Sequence, residues 1–338
     1  MRIGIPAETK PGEQRVALVP RDVMLLAADG HEVRVQAGAG TPTGHDDDAY
    51  RSAGARIVDR IAAWDCELVI KVKELQDAEF ASLEREQAVL GFHQLPGNPE
   101  RTRRICASGI IAIAYETVRD TRGKFPLLAP MSVISGRMAI DVAKRHLGHA
   151  PRNVLVLGAG NAGDAAAQAA RDTGATVTVL RRATATPEAV ERAALAADLV
   201  VGAVFVAGMP TPKLLSRALV ARMKRGAMIV DICIDGGGVA ETSRATTHAD
   251  PVFVAEDVIH YAVENMPSAV PREATEAISA AVLPYARAIA SQGVAAAARA
   301  DAGLAAGILA WKGSVTYESI AREAGVPYTP VSDSIAHG

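Results

Sequence analysis

Residues 153–163 read Asn153-Val-Leu-Val-Leu-Gly158-Ala-Gly160-Asn161-Ala162-Gly163. A short apolar run empties directly into Gly-x-Gly-x-x-Gly, and the small residues from Asp164 to Ala170 continue as a helix would. Strand, tight turn and helix N-terminus in that order form a pyrophosphate-binding unit. Gly158 permits the turn, Gly160 lets the backbone approach the phosphates, and Gly163 allows close helix packing. In a chain with 29 glycines the motif alone is weak, but its flanks agree. A second strand, Thr176 to Leu180, follows at the distance of one βαβ unit. The stretch therefore predicts a dinucleotide site with Gly158, Gly160, Asn161, Ala162 and Gly163 against the cofactor.

The chain around this unit has 338 residues, enough for two domains of ordinary size, each with its own core. Hydrophobic content is 49% with only 4% aromatics, which suits an α/β protein whose helices pack through small residues. A formal net charge of −2 provides no basic field for a phosphate backbone, so nucleic acid is not an expected partner. Cys66, Cys106 and Cys233 are widely spaced, without the pattern of a disulfide framework or a zinc site. The opening Met-Arg-Ile-Gly-Ile-Pro lacks the features of a signal peptide, and no run of 18 apolar residues occurs. A cytoplasmic protein without a membrane partner is the expectation.

Along the first 127 residues, short β-rich runs alternate with helical patterns: Arg2 to Ile5, Glu32 to Val35, Leu68 to Val72, Ala88 to Gly91 and Ile110 to Ala114 read as strands. Alternation of this kind predicts a parallel, doubly wound sheet. After Leu180, the runs Leu199 to Val204, Met228 to Ile232 and Val252 to Val254 would complete a second sheet. From Pro271 onward the pattern is helical and alanine-rich, with no further strand run. The expected architecture is thus two doubly wound, Rossmann-like α/β domains with a cleft between them. Residues 128–270 would form a dinucleotide-binding domain inserted into a discontinuous substrate domain of residues 1–127 and 271–338.

Ordered blocks through both halves carry a family resemblance. They include Gly4-Ile-Pro-Ala-Glu-Thr-Lys, Glu13-Gln-Arg-Val-Ala-Leu-Val-Pro20, Val72-Lys-Glu74, Ala114-Tyr-Glu-Thr-Val118, Ile229-Val-Asp-Ile-Cys-Ile-Asp235 and Asn265-Met-Pro-Ser-Ala-Val-Pro271. The chain resembles the alanine dehydrogenase and nicotinamide nucleotide transhydrogenase family over essentially its full length, on the side of the soluble alanine dehydrogenases. That resemblance implies reversible oxidative deamination of a small amino acid to its 2-oxo acid, with hydride passing to the nicotinamide. By matching motif it places Arg15 on the substrate carboxylate, and Lys73 on the carboxylate and oxo group. His93 becomes the acid/base, Asp235 sits near nicotinamide and substrate, and Asn265 and Met266 lie among the cofactor contacts. A homo-oligomer, dimer or hexamer, is expected.

The residue types suit those roles. Arginine offers two parallel donors to a carboxylate and stays charged. Lys73 follows a Val-rich strand, near the carboxyl end where ligands of open α/β sheets collect; Lys71, two residues earlier, is an alternative on the same strand face. Proton transfer during carbinolamine formation wants a group titrating near neutrality, as histidine does. Asp235 closes an apolar strand before Gly236-Gly-Gly. His45-Asp-Asp-Asp48 reads as a solvated turn rather than a metal site, and no metal is expected.

Two features depart from the family pattern. At the end of the second dinucleotide strand, where an acidic residue usually meets the adenosine ribose, stand Arg181 and Arg182. Adjacent arginines attract a 2′-phosphate, so NADP(H) is the expected cofactor, with NAD(H) as the alternative. The loops at His146 to Arg152 and Ala183 to Ala197 are short, and Val133 replaces a glutamate after Met131-Ser132. An NADPH-dependent imine or 2-oxo acid reductase, and a non-catalytic nucleotide-binding or transhydrogenase-like subunit, are the rival functions.

Overall fold

In the computed structural model, residues 1–205 and 210–336 are described; His337 and Gly338, at the end of the expected substrate domain, lie outside them. The chain divides into two compact units. One comprises Met1–Pro130 with Val270–Gly338, the other Met131–Ala269.

The first segment lays down β1 (Arg2–Ile5), β2 (Glu32–Gln36), β3 (Arg56–Val58), β4 (Leu68–Ile70), β5 (Ala88–Gly91) and β6 (Ile111–Ala114). The second unit contains β7 (Asn153–Leu157), β8 (Thr176–Leu180), β9 (Leu199–Gly202), β10 (Met228–Asp231), β11 (Val252–Ala255) and β12 (Val258–Tyr261). A 22-residue helix, Pro271–Gln292, returns the chain to the first unit, where β13 (Ile308–Trp311) and β14 (Ser314–Val315) follow.

The first sheet has the order β14-β13-β6-β5-β4-β1-β2-β3, parallel from β6 to β3. Strands β4, β5 and β6 are buried at every residue, as strands covered on both faces must be, and they read as unbroken apolar runs. Their register is level: Leu68 pairs Ala88 and Ile70 pairs Leu90, while Gly91 pairs Ala114. The segments leaving the three strands therefore emerge side by side along one edge.

The second sheet has the order β11-β12-β10-β9-β7-β8. Strand β7 shows why it needs no polar face. Val154 and Val156 enter one core with Ala139, Ala143, Ala166 and Ala170, whereas Leu155 and Leu157 enter another with Val190, Ala194 and Val220. Alanine on the covering helices lets them approach closely, and each fully buried Val or Leu contributes about 1.5–3 kcal/mol.

Three expectations need correction. The region after Pro271 does contain strands, because β13 pairs antiparallel with β6 and closes the otherwise exposed edge of the first sheet. Four residues between Gly307 and Lys312 are too few for a period to show in an alanine-rich context. Strands β3 and β12 were likewise not foreseen, and β11 runs antiparallel to β12 across the two-residue turn Glu256-Asp257. Finally, β4, β9 and β10 end one or two residues earlier than their apolar runs, at Ile70, Gly202 and Asp231.

Candidate active site

The glycine-rich turn joins β7 to the helix Asn161–Asp172. Gly158 adopts φ +105°, and a Cβ there would lie 2.3 Å from the Ala203 carbonyl oxygen. A Cβ on Gly163 would stand 2.1 Å from the Gly158 carbonyl oxygen. Both positions require glycine. Gly160, the residue before the helix, differs: it is exposed, and a Cβ would meet none of the described residues within 4 Å. Open space over Gly160, with the N–H groups of the first helical turn beside it, is a cradle of the size and polarity that a pyrophosphate occupies. Gly136, on the helix Ala129–Leu147, holds that turn from behind, since a Cβ there would be 2.2 Å from the Ala162 carbonyl oxygen. Asn161 is exposed at the cradle and Ala162 half-buried. The residues present fit a dinucleotide.

Arg181 and Arg182 leave the end of β8 exposed, and neither side chain has a partner among the described residues. Asn265 takes a left-handed backbone at φ +61°, and its carbonyl lies 3.4 Å from His248 Nε2. Met266 packs into the core with Tyr261 and Val263 at 3% exposure.

In the first unit, the segments leaving β1, β4, β5 and β6 bring buried polar groups to one sheet edge. Arg15 is 2% exposed, and its Nε and Nη2 donate to the Glu13 carboxylate at 2.7 and 2.6 Å. The Nε–Nη2 edge is thus committed within the protein, to a partner that residue type and spacing do not reveal. Lys73, just past β4, places Nζ 3.3 Å from Glu74 Oε2 and 5.8 Å from the centre of the Phe92 ring. Burial would raise Glu74, but Lys73 and Lys10 outweigh it and hold the carboxyl at about 2.

Lys71 is fully enclosed, with Nζ 3.1 Å from both Glu8 and Glu79 and donating to the Lys73 carbonyl at 2.9 Å. Burial would lower its pKa; the two carboxylates reverse that and raise it. Lys71 is therefore a structural cation. Glu8 also accepts from Val72 N at 2.5 Å, which fixes the turn that delivers Lys73.

His93 leaves the end of β5 at 1% exposure. Its Nε2 lies 3.0 Å from the Val89 carbonyl oxygen, an acceptor only, so the neutral ring carries its hydrogen on Nε2. Nδ1 is buried and has no hydrogen-bond partner among the described residues. Burial, above all, depresses this histidine to about 4. A group titrating near neutrality was the expectation; the pocket holds a neutral imidazole with a bare lone pair instead. On the neighbouring strand end, Tyr115 is enclosed, its hydroxyl has no hydrogen-bond partner among the described residues, and its ring meets Phe92 edge-on at 5.2 Å. Glu116 accepts from His93 N at 3.0 Å and Gln94 N at 2.6 Å. Tyr115 and Glu116 follow β6 as Lys73 follows β4, although neither residue type nor spacing in the Ala114–Val118 motif assigns them a role.

Asp235 belongs to the second unit and does not close a strand. Strand β10 ends at Asp231, and Asp235 lies exposed on the turn Ile234–Gly236. Asp231 is the buried carboxylate: Oδ2 accepts from Val239 N at 2.8 Å and from Ser243 Oγ at 2.6 Å, while Oδ1 has no hydrogen-bond partner among the described residues. Burial pushes its pKa up. The carboxylates of Asp46 to Asp48 serve their own loop, Asp46 capping the helix Asp47–Ser52 and Asp47 accepting from Gly38 N. No cluster of three metal-ligating side chains occurs among the described residues.

Comparison with known proteins agrees with this geometry. The N-terminal domain of the alanine dehydrogenase/PNT family matches residues 4–135, and its C-terminal domain matches residues 180–318. The glycine-rich turn lies between the matched stretches, so the likeness does not rest on it. An alanine dehydrogenase of Mycobacterium tuberculosis is 41% identical over 373 aligned positions, covering 99% of this chain and 100% of the relative. One from Bacillus subtilis is 36% identical, covering 99% and 98%. A solved L-alanine dehydrogenase superposes with a TM-score of 0.88 at 34% identity, over 95% of this chain and 98% of that one. A Sinorhizobium meliloti transhydrogenase shares the fold, with a TM-score of 0.82 at 23% identity over 94% and 100% of the two chains. No helix among the described residues is long and apolar enough to cross a membrane. With both domains matched and relatives of this identity aligned end to end, the chain belongs to the alanine dehydrogenase/PNT family.

Proposed function

We propose that this chain is an amino-acid dehydrogenase of the alanine dehydrogenase kind, interconverting a small 2-amino acid with its 2-oxo acid and ammonia. The unit Met1–Pro130 with Val270–Gly338 takes the substrate, and the unit Met131–Ala269 takes the dinucleotide. The observation that carries this reading is the bare Nδ1 of His93, on the same buried edge as Arg15 and Lys73.

A nicotinamide dinucleotide, when bound, supplies the hydride acceptor and donor; Gly158, Gly160 and Gly163 shape the cradle for its pyrophosphate, with Asn161 and Ala162 in the first helical turn. Arg15 is held rigid by Glu13 and orients the substrate carboxylate. Lys73 faces the oxo group and stabilises charge developing on that oxygen. His93 takes a proton on Nδ1 when water adds to the imine, and returns it when the reaction runs toward amination. Because burial keeps the ring neutral, the lone pair is available as a base at ordinary pH. In the dinucleotide unit, Asp235 is assigned to the nicotinamide, with Asn265 and Met266 among the dinucleotide contacts.

NADP(H) is the preferred cofactor on this reading, supported by two exposed guanidinium groups without partners at the end of β8. The working form is a homo-oligomer, dimer or hexamer, in the cytoplasm, which sedimentation velocity and fractionation would check. The test of function is ammonium-dependent oxidation of reduced cofactor with pyruvate and a panel of other 2-oxo acids. Arg181→Asp should weaken NADPH binding by about 1.5–3 kcal/mol and leave NADH near its original affinity. Tight cofactor binding with no amine-dependent turnover on any substrate would favour a non-catalytic module; equal NADPH affinity in Arg181→Asp would overturn the cofactor choice.

A further inference from the structure

We propose that Glu116 is a positioning residue for His93: its carboxylate fixes the turn after β5 so that the imidazole presents Nδ1, and only Nδ1, to the substrate. This inference rests on the reading of His93 as the proton-transfer group.

The geometry is that of a clamp. Strands β5 and β6 are parallel neighbours, and their ladder continues past the strand ends through Tyr115 N, which donates to the Gly91 carbonyl at 3.0 Å. One residue further, the ladder stops and the Glu116 side chain takes over. Its Oε1 accepts from two consecutive backbone N–H groups, His93 at 3.0 Å and Gln94 at 2.6 Å, and Oε2 lies 3.4 Å from His93 N. Successive N–H groups converging on one anion form a concave nest.

Holding that nest closed has a cost, since Gln94 adopts φ +50°, a left-handed conformation that a residue with a Cβ rarely takes. The Gln94 carbonyl is held from the other side, accepting from Asn98 Nδ2 and Arg101 Nη1, each at 3.1 Å. With the backbone pinned at both ends of Gln94, the imidazole is pinned at its far nitrogen by the Val89 carbonyl. What remains is a single lone pair. A carboxylate buried only to shape a turn is an expensive choice, because neutral acceptors would serve the same two N–H groups. Burial pushes the Glu116 carboxyl up, while the Gln94 and His93 N–H groups and the positive charge of Lys73 pull it back, which ties the clamp to that cation.

The experiment is Glu116→Gln in the full-length chain with its cofactor, read by long-range nitrogen-15 NMR of the histidine rings and by steady-state kinetics. His93→Asn identifies the His93 signals. In the unaltered protein His93 should show one tautomer, hydrogen on Nε2. In Glu116→Gln, with one oxygen replaced by a donor, a second tautomer or ring orientation should appear. Turnover should fall roughly 10- to 100-fold while KM for the oxo acid changes less than about twofold, as expected for a misplaced proton-transfer group with Arg15 and Lys73 intact. If Glu116→Gln does not fold, Glu116→Asp keeps the charge, withdraws the oxygens by one carbon and carries the same readouts. A folded variant with an unchanged His93 tautomer would overturn the proposal, and so would one with unchanged turnover. The NMR arm needs no turnover, so it still decides the role of Glu116 if the chain proves inactive on amino acids.

Discussion

Two lysines two residues apart carry opposite duties, and burial with partners tells them apart. Lys71 neutralises Glu8 and Glu79 inside the first unit, whereas Lys73 meets Glu74 and looks across Phe92. Removing Lys71 would strand two buried carboxylates, so Lys71→Met should cost about 3–5 kcal/mol of stability. Lys73→Met should depress turnover and, because Lys10 still meets the Glu74 carboxylate, cost less stability than Lys71→Met. Calorimetry paired with initial rates checks both, and the reverse pattern would make Lys71 the substrate cation. Nothing in residue type or in the period of the apolar run separates these two lysines, both of which lie past the end of β4; only the loop after β1, arriving from far away in sequence with Glu8, decides between them.

The ends of β4, β5 and β6 each deliver a buried polar side chain, and the glycine-rich turn shows how an element divides its work among similar residues. Gly158 and Gly163 are required by backbone contacts, whereas Gly160 is open. Gly163→Ala should therefore destabilise the fold, by about 1–3 kcal/mol for the overpacked contact. Gly160→Ala should fold normally yet weaken dinucleotide binding by about 1.4 kcal/mol or more, a tenfold loss. Fluorescence titration and thermal melts together would show it, and normal cofactor affinity in Gly160→Ala would place the pyrophosphate elsewhere. This turn was fully legible in sequence, because spacing, flanking strand and following helix are local. The strands β4 to β6 were legible too, as runs of buried apolar residues. Strand β13 was not, since its identity comes from pairing with β6 across nearly two hundred residues. The same holds at the site: Lys73 and His93 follow readable strands, but the Glu13 grip on Arg15, the Glu116 clamp and the exposure of Asp235 depend on side-chain geometry that no spacing encodes.

Over the whole molecule, the buried site makes folding sensitive to acid. His93 is held at about 4 by burial, while in an unfolded chain it titrates near 6.5. Between those values the unfolded state binds the extra proton, so stability rises with pH. The stabilising contribution is complete above the unfolded value and lost as pH falls toward 4, in all about 3 kcal/mol. Glu74, held at about 2, adds a second loss in the same direction below roughly pH 4.5. Denaturant melts from pH 7.5 to 4.5 should show this decline, with a flatter profile in His93→Asn; parallel profiles would mean that the imidazole is not buried neutral.

On the proposed function, the buried edge carrying Arg15, Lys73 and His93 presents the C2 atom of a small 2-oxo acid's imine for reduction. This is tested most directly by incubating the protein with pyruvate, ammonium and NADPH deuterated at C4, then reading the product by mass spectrometry. One deuterium at C2 of alanine is the predicted result, abolished in His93→Asn. Deuterated cofactor left intact, or deuterium recovered in lactate without nitrogen incorporation, would contradict it.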